Sequence, residues 1–216
     1  MVDDEIDRVV EAARDLPPAA GGYPEQDYIM NLLETVLDYQ MHTTAVVKAL
    51  AHFRDTRWNE IRTLNDLETT LDRFADDREG STALAQYLWA NNHWRRAQEL
   101  RGLVSFFRSI EVVDAGSLRR WAEKSEFRRD FQGRVKGLGQ AVYQSLVMRQ
   151  GVETVKPDIH IRRFAEAAAG RRLTADEVIQ MVTAAARRLG IKPRELDWRI
   201  WEASRSGAPP SPPGPE

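Results

Sequence analysis

Residues Arg134–Arg163 read RVKGLGQAVYQSLVMRQGVETVKPDIHIRR, and this stretch decides the fold. A glycine-flanked turn, Gly137-Leu138-Gly139, opens a segment whose apolar residues Leu138, Val142, Leu146 and Met148 fall on a helical stripe. A glycine turn at the mouth of a helix presents backbone N–H groups, and such groups grip phosphate. Asp158 follows Gly139 by 19 residues, inside Lys156-Pro157-Asp158-Ile159-His160. Pro157 fixes the chain just before this aspartate, a residue type favoured at the start of a helix.

Outward from that stretch the hydrophobic period is helical everywhere, and no two-residue alternation persists. Residues 3–15 place Ile6, Val9, Val10 and Ala13 on one face, and a Pro/Gly connector follows to Pro24. Helices are expected over 26–40, from Thr43 or Thr44, from an Asn65-x-x-Glu68 capping box, from Ser81, over His93–Ile110 and from Ser117. Beyond Asp158 a helix should end at Gly170. Another should begin at the Thr174-x-x-Glu177 capping box and stop at Gly190, and Pro193 should open the last. The fold class is therefore all-α, with units expected at 1–24, 25–150 and 151–204. The Pro-rich tail 205–216 is expected to be disordered.

Composition narrows the chemistry. The chain has no cysteine, which excludes disulfides and thiolate metal sites, and its four histidines show no ligand spacing, so no metal is expected. No apolar run approaches the roughly 18 residues of a membrane span. The start of the chain, MVDDEIDRVV, lacks the order of a signal peptide, so a cytoplasmic location is expected, nucleoid-associated in a bacterium. Net charge is −2 but uneven. Met1–Asp38 carries ten acidic and two basic residues, Arg119–Lys136 seven basic and three acidic, and Lys156–Lys192 eight basic and four acidic. Positive charge thus gathers around the turn and Asp158, as on a nucleic-acid-binding face, although arginines at helical spacing also form ordinary solvated surfaces.

The turn and the aspartate together resemble the helix-hairpin-helix DNA glycosylases of the endonuclease III type. There a hairpin of the form L-P-G-V-G precedes an aspartate in a V-D-T-H-like segment. The resemblance covers roughly Tyr28–Ser204; Leu33–Gln40 is similar to the family's L-L-x-x-Q segment and Asn92–Phe107 to its N-x-x-A-rich helix. Two departures stand out: Lys136 replaces the hairpin proline, and the absent cysteines exclude the iron–sulfur cluster many relatives carry.

The resemblance implies two helical subdomains with an active-site cleft between them, in a monomer acting on double-stranded DNA. It implies that Lys136, Gly137, Leu138, Gly139 and Gln140 meet the DNA backbone and that a monovalent cation can sit at the hairpin. Gln40 would fill the space left by a flipped base, and Asp158 would be the catalytic carboxylate. Members that also cut the strand carry a lysine two residues after the second glycine; here that position is Ala141. The expectation is a monofunctional base-excision-repair glycosylase without a cofactor. Plainer readings accompany each residue: Asp158 as a helix cap, His160 as a packing histidine near the pocket, Gln40 as an exposed helix end. A relative that binds DNA without catalysis and a helical protein-interaction domain are the alternatives.

Overall fold

The computed structural model describes residues 3–23 and 26–205. Among these residues the regular structure is helical, with no strand, in agreement with the all-α expectation. The helices are α1 (Asp3–Arg14), α2 (Tyr28–Leu37), α3 (Thr43–Thr56), α4 (Leu64–Asp72), α5 (Arg78–Trp89), α6 (Trp94–Ser109), α7 (Ala115–Lys124), α8 (Gln140–Met148), α9 (Ile159–Ala169), α10 (Ala175–Arg188) and α11 (Pro193–Arg205). A single π-helical turn, Phe127–Phe131, lies between α7 and α8. Contacts gather the chain into two units: Met1–Pro24 with Gly151–Glu216, and Glu25–Gln150.

Helix ends follow local chemistry. Asp158 caps α9 with bonds from the N–H groups of His160 and Ile161, Gly170 closes it in the left-handed region, and Thr174 and Glu177 form the expected capping box of α10. Several expected boundaries move. The capping box of α4 is Thr63 with Asp66, not Asn65 with Glu68. Asp77 caps α5 four residues before the expected start at Ser81, and Asp114 caps α7, with Ser117 returning the bond. His42, not a threonine, precedes α3. α2 ends at Leu37, short of Gln40. α11 runs through Arg205, one residue into the expected tail, and residues 206–216 of that tail lie outside the described residues.

In the first unit α1 packs on α9 and α10, and α11 covers both. Ile6, Val9 and Ala13 meet Phe164, Val178 and Met181 in one apolar cluster. Each large side chain so removed from water contributes roughly 1.5–3 kcal/mol. The acidic residues of α1 pair with arginines of the same unit: Glu5 with Arg171, and Asp3 and Asp7 with Arg188. Part of the positive charge counted in Lys156–Lys192 is therefore answered by the acidic N-terminal helix.

In the second unit α6 packs against both α5 and α2, and α2 also packs on α8. The α2–α8 contact contains a buried charge. Arg149, 1 % exposed, donates to the side chains of Asn31 (2.6 Å), Ser145 (2.8 Å) and Thr35 (2.7 Å), with the carboxylates of Glu34 and Asp38 at 3.5 and 3.6 Å. Nearby, Phe106, Phe107, Trp121, Phe131 and Tyr143 form a ring cluster with centroids 5.0–6.2 Å apart. Edge-to-face pairs of this kind stabilise beyond their area.

Candidate functional site

The turn before α8 is built on glycine for two different reasons. Gly137 has φ +93, and a Cβ there would lie 2.6 Å from Glu99 Oε1 and 3.3 Å from Tyr39 Oη. Only glycine fits this conformation and this space. Gly139 has an ordinary φ of −99, and a Cβ on it would meet nothing within 4 Å, so the backbone here faces open space. Leu138 is buried and anchors the turn, while Lys136 is exposed. Gly139 caps α8 without a side-chain bond, so the first-turn N–H groups of α8 receive nothing from their cap. Gln140 and Ala141, partly buried, begin that helix.

Gln40 lies in the bend after α2 rather than on a helix end. It is exposed, and its φ of +53 places a non-glycine residue in the left-handed region. Its neighbour Tyr39 donates its hydroxyl proton to Glu99, and burial, followed by Glu99 itself, raises that phenol above its ordinary range. Arg96 stacks on the Tyr39 ring at 3.6 Å and pairs with Glu99 at 3.0 Å. Glu99 therefore touches both the bend carrying Gln40 and the turn carrying Gly137. The structure brings these two sequence-selected elements together through a residue the sequence did not single out.

Asp158 is held from two directions. Both of its N-cap bonds, from His160 N–H (2.9 Å) and Ile161 N–H (3.1 Å), go to Oδ1. Oδ2 accepts no hydrogen bond among the described residues. Its own N–H donates to Lys156 O at 2.8 Å, closing a tight turn around Pro157. Lys156 N–H in turn donates to Oδ2 of Asp197 at 2.7 Å, and Tyr23 donates its hydroxyl to Oδ1 of Asp197 at 2.7 Å. Asp197 is 1 % exposed, and burial drives its carboxyl up to about 7 against the pull of those two donors; the charge of Asp158 adds to the rise. His160 bonds through Nδ1 to the Ser204 hydroxyl at 2.9 Å, a structural contact.

Residues 28–205 match the family described as "Domain of unknown function (DUF8548)". The chain belongs to this family. No curated protein and no solved structure matches it. Family membership thus supplies no activity.

In this DUF8548 chain the sequence did not single out Tyr23, Asp197, Glu99 or Tyr39. Asp197 left one trace: Leu196, Asp197 and Ile200 share the buried side of α11, so an aspartate occupies an apolar register. The connector also fits this helix closely, since a Cβ on Gly21 would lie 2.9 Å from the Trp198 ring. Among the described residues no group of three or more His, Asp or Glu side chains is arranged to hold a metal, and no helix is long and apolar enough to cross a membrane.

Proposed function

We propose that this chain is a monofunctional DNA glycosylase. It binds duplex DNA through the turn at residues 136–140, flips a damaged or mismatched nucleotide and hydrolyses its N-glycosidic bond. The observation that carries the reading is the carboxylate of Asp158, fixed through Oδ1 on the first turn of α9 and through the Lys156-Pro157 turn on Asp197, with Oδ2 accepting no hydrogen bond among the described residues. A held carboxylate with one open oxygen suits a reaction that builds positive charge on a sugar. As the C1′–N bond breaks, its electron pair leaves with the base, and Oδ2 faces the developing cation. Water then adds to C1′, and its proton passes by way of Asp158 to the departing base.

The turn supports the binding half. Gly139 has open space where a side chain would stand, and exposed Lys136 adds a charge beside it, a combination suited to phosphate rather than to base edges. Exposed Gln40 follows Tyr39, whose hydroxyl meets the Glu99 that packs against the turn, and is assigned to the gap left by the flipped base. Unpairing costs a few kcal/mol and is cheapest for bases that already pair badly, which favours damaged or mismatched sites.

The test is a panel of duplexes, each with one lesion or mismatch, incubated with the full chain and then treated with hot alkali. Alkali-dependent strand cleavage at one class of lesion supports the reading. Duplex binding with no cleavage on any member would assign the chain to DNA binding alone, and absence of binding at low salt would overturn both halves.

A further inference from the structure

A concave site lies wholly within the Glu25–Gln150 unit. It is a cleft of about 910 Å³ between α6, α7 and the π-helical turn, reaching Arg134 just before the glycine turn. Volumes from about 300 to 1,000 Å³ are those of small-molecule sites. Its making is local. Gly102 on α6 leaves room for the Val135 side chain, since a Cβ there would lie 3.1 Å from Val135 Cγ1. Phe106 and Trp121, both only partly buried, line the cleft and are held from behind by the buried rings of Phe107 and Phe131.

The charges of the cleft are unbalanced in one direction. Its acid, Asp130, accepts from Arg129 at 2.8, 2.9 and 3.1 Å, and Arg129 also reaches Glu126 and the carbonyl of Lys124. That pair is closed on itself. Arg120, Lys124 and Arg134 remain, all exposed, and none is within ion-pair distance of a carboxylate among the described residues. Asp114 and Asp130 feel Arg120 and Arg134 only at longer range. Three cations converge on a cleft with two accessible aromatic rings and the hydroxyls of Ser105 and Ser109 on its α6 wall.

We propose that this cleft binds a nucleotide through its phosphate monoester. Near neutrality such a phosphate carries a charge approaching −2 and three acceptor oxygens, which these three cations match and a single carboxylate would not. The space left beyond a phosphate is bounded by Phe106, Trp121 and exposed Ile110, surfaces on which a flat base stacks. The same chemistry has two sources, a free nucleotide or the 5′-phosphorylated end of a strand. The site is separate from the turn at 136–140 and does not depend on duplex binding there.

The experiment titrates the full chain by calorimetry with deoxyadenosine 5′-monophosphate, deoxyadenosine and inorganic phosphate. Saturable binding of the nucleotide at least about tenfold tighter than either fragment is expected, and a loss of about tenfold or more in the Arg120→Ala/Lys124→Ala variant. Both substitutions are on exposed side chains, and unchanged melting would show that the fold survives. A 5′-phosphorylated single strand binding more tightly than the mononucleotide identifies a strand end as the ligand; equal affinity identifies the free nucleotide. Lys136→Glu should lower duplex affinity and leave mononucleotide binding intact. Equal affinity for all three small probes, or binding unmoved by the double variant, overturns the cleft as a nucleotide site. Nucleotide binding in a chain that ignores duplex DNA would sink the function proposed above and leave this one standing.

Discussion

Tyr23 donates its hydroxyl proton to Asp197 across a 2.7 Å hydrogen bond that joins the Pro/Gly connector to the buried side of α11. The other oxygen of Asp197 takes the N–H of Lys156, two residues before Asp158. One buried carboxyl thus fastens two irregular segments, and the segment bearing Asp158 owes part of its position to it.

That carboxyl makes stability depend on pH with a defined sign. Burial raises Asp197 from 3.8 to about 7. Between those values the unfolded chain has lost the proton while the folded chain keeps it, so stability falls as pH rises across that window. The contribution is complete below about pH 4 and gone above about pH 7. At roughly 1.4 kcal/mol for each pH unit, its ceiling is about 4 kcal/mol. Asp197→Asn keeps the shape and removes the proton. The melting temperature of the wild type should drop more steeply from pH 5 to pH 8 than that of the variant; parallel curves would show that Asp197 does not titrate in this range.

The two glycines of the turn should separate in opposite ways. Gly137→Ala forces a left-handed alanine, costing about 1–2 kcal/mol, and drives its methyl toward a Glu99 already held by Arg96 and Tyr39. Gly139→Ala meets no atom and needs no unusual φ, so its stability should stay within about 0.5 kcal/mol of wild type. Duplex affinity should nevertheless fall in Gly139→Ala, because the methyl fills the space assigned to phosphate. Thermal unfolding and fluorescence anisotropy on the same two variants check this. Intact affinity in Gly139→Ala would place the phosphate elsewhere.

How legible these features were in sequence depended on range. Asp158, Gly170, Thr174 with Glu177, and Pro193 announce α9, α10 and α11 because a cap is decided within a few residues. α4 was ambiguous for the same local reason. Thr63-x-x-Asp66 and Asn65-x-x-Glu68 overlap, and burial of Leu64, Leu67 and Leu71 accompanies the first. The apolar period runs on toward Gln40, yet α2 ends at Leu37 and the chain turns so that Tyr39 meets Glu99, a contact 60 residues apart. The turn glycines were visible, but the reason Gly137 cannot be alanine lies on α6. In sequence Arg120, Lys124 and Arg134 are only part of a basic run. Which of its charges Asp130 and Glu126 neutralise is a matter of folded geometry.

Arg149 should be among the most sensitive residues to stability measurements. Its guanidinium satisfies Asn31, Thr35 and Ser145 at once, in a site with almost no solvent. Arg149→Met leaves those groups and two carboxylates without their cation and should cost about 3–5 kcal/mol in urea unfolding. Arg149→Lys should not restore the loss, since an ammonium cannot span the three positions of a planar fork. A cost below about 1 kcal/mol for either variant would mean that the α2–α8 contact closes without the network.

Asp158 allows capping and chemistry to be measured apart. Its Oδ1 alone makes the N-cap bonds, and asparagine offers the same oxygen in nearly the same place. Asp158→Asn should therefore melt like the wild type, whereas Asp158→Ala should lose about 1 kcal/mol with the cap. If the carboxylate faces a developing sugar cation, both variants lose base release, and duplex affinity survives in both. Asp158→Asn with full activity would show that the aspartate is a cap and nothing more. The form of the proposed chemistry turns on what stands on α8. A glycosylase that cuts the strand needs an amine to attack C1′ and form a Schiff base, and the second residue after Gly139 is Ala141, with a methyl group. On the proposed reading water is the nucleophile, and the product is an intact strand with an abasic site. Borohydride added during turnover on the lesion duplex should trap no protein–DNA adduct, and cleavage should appear only after alkali. A covalent adduct in good yield would mean that a lysine of this chain performs the attack and that Asp158 serves it rather than water.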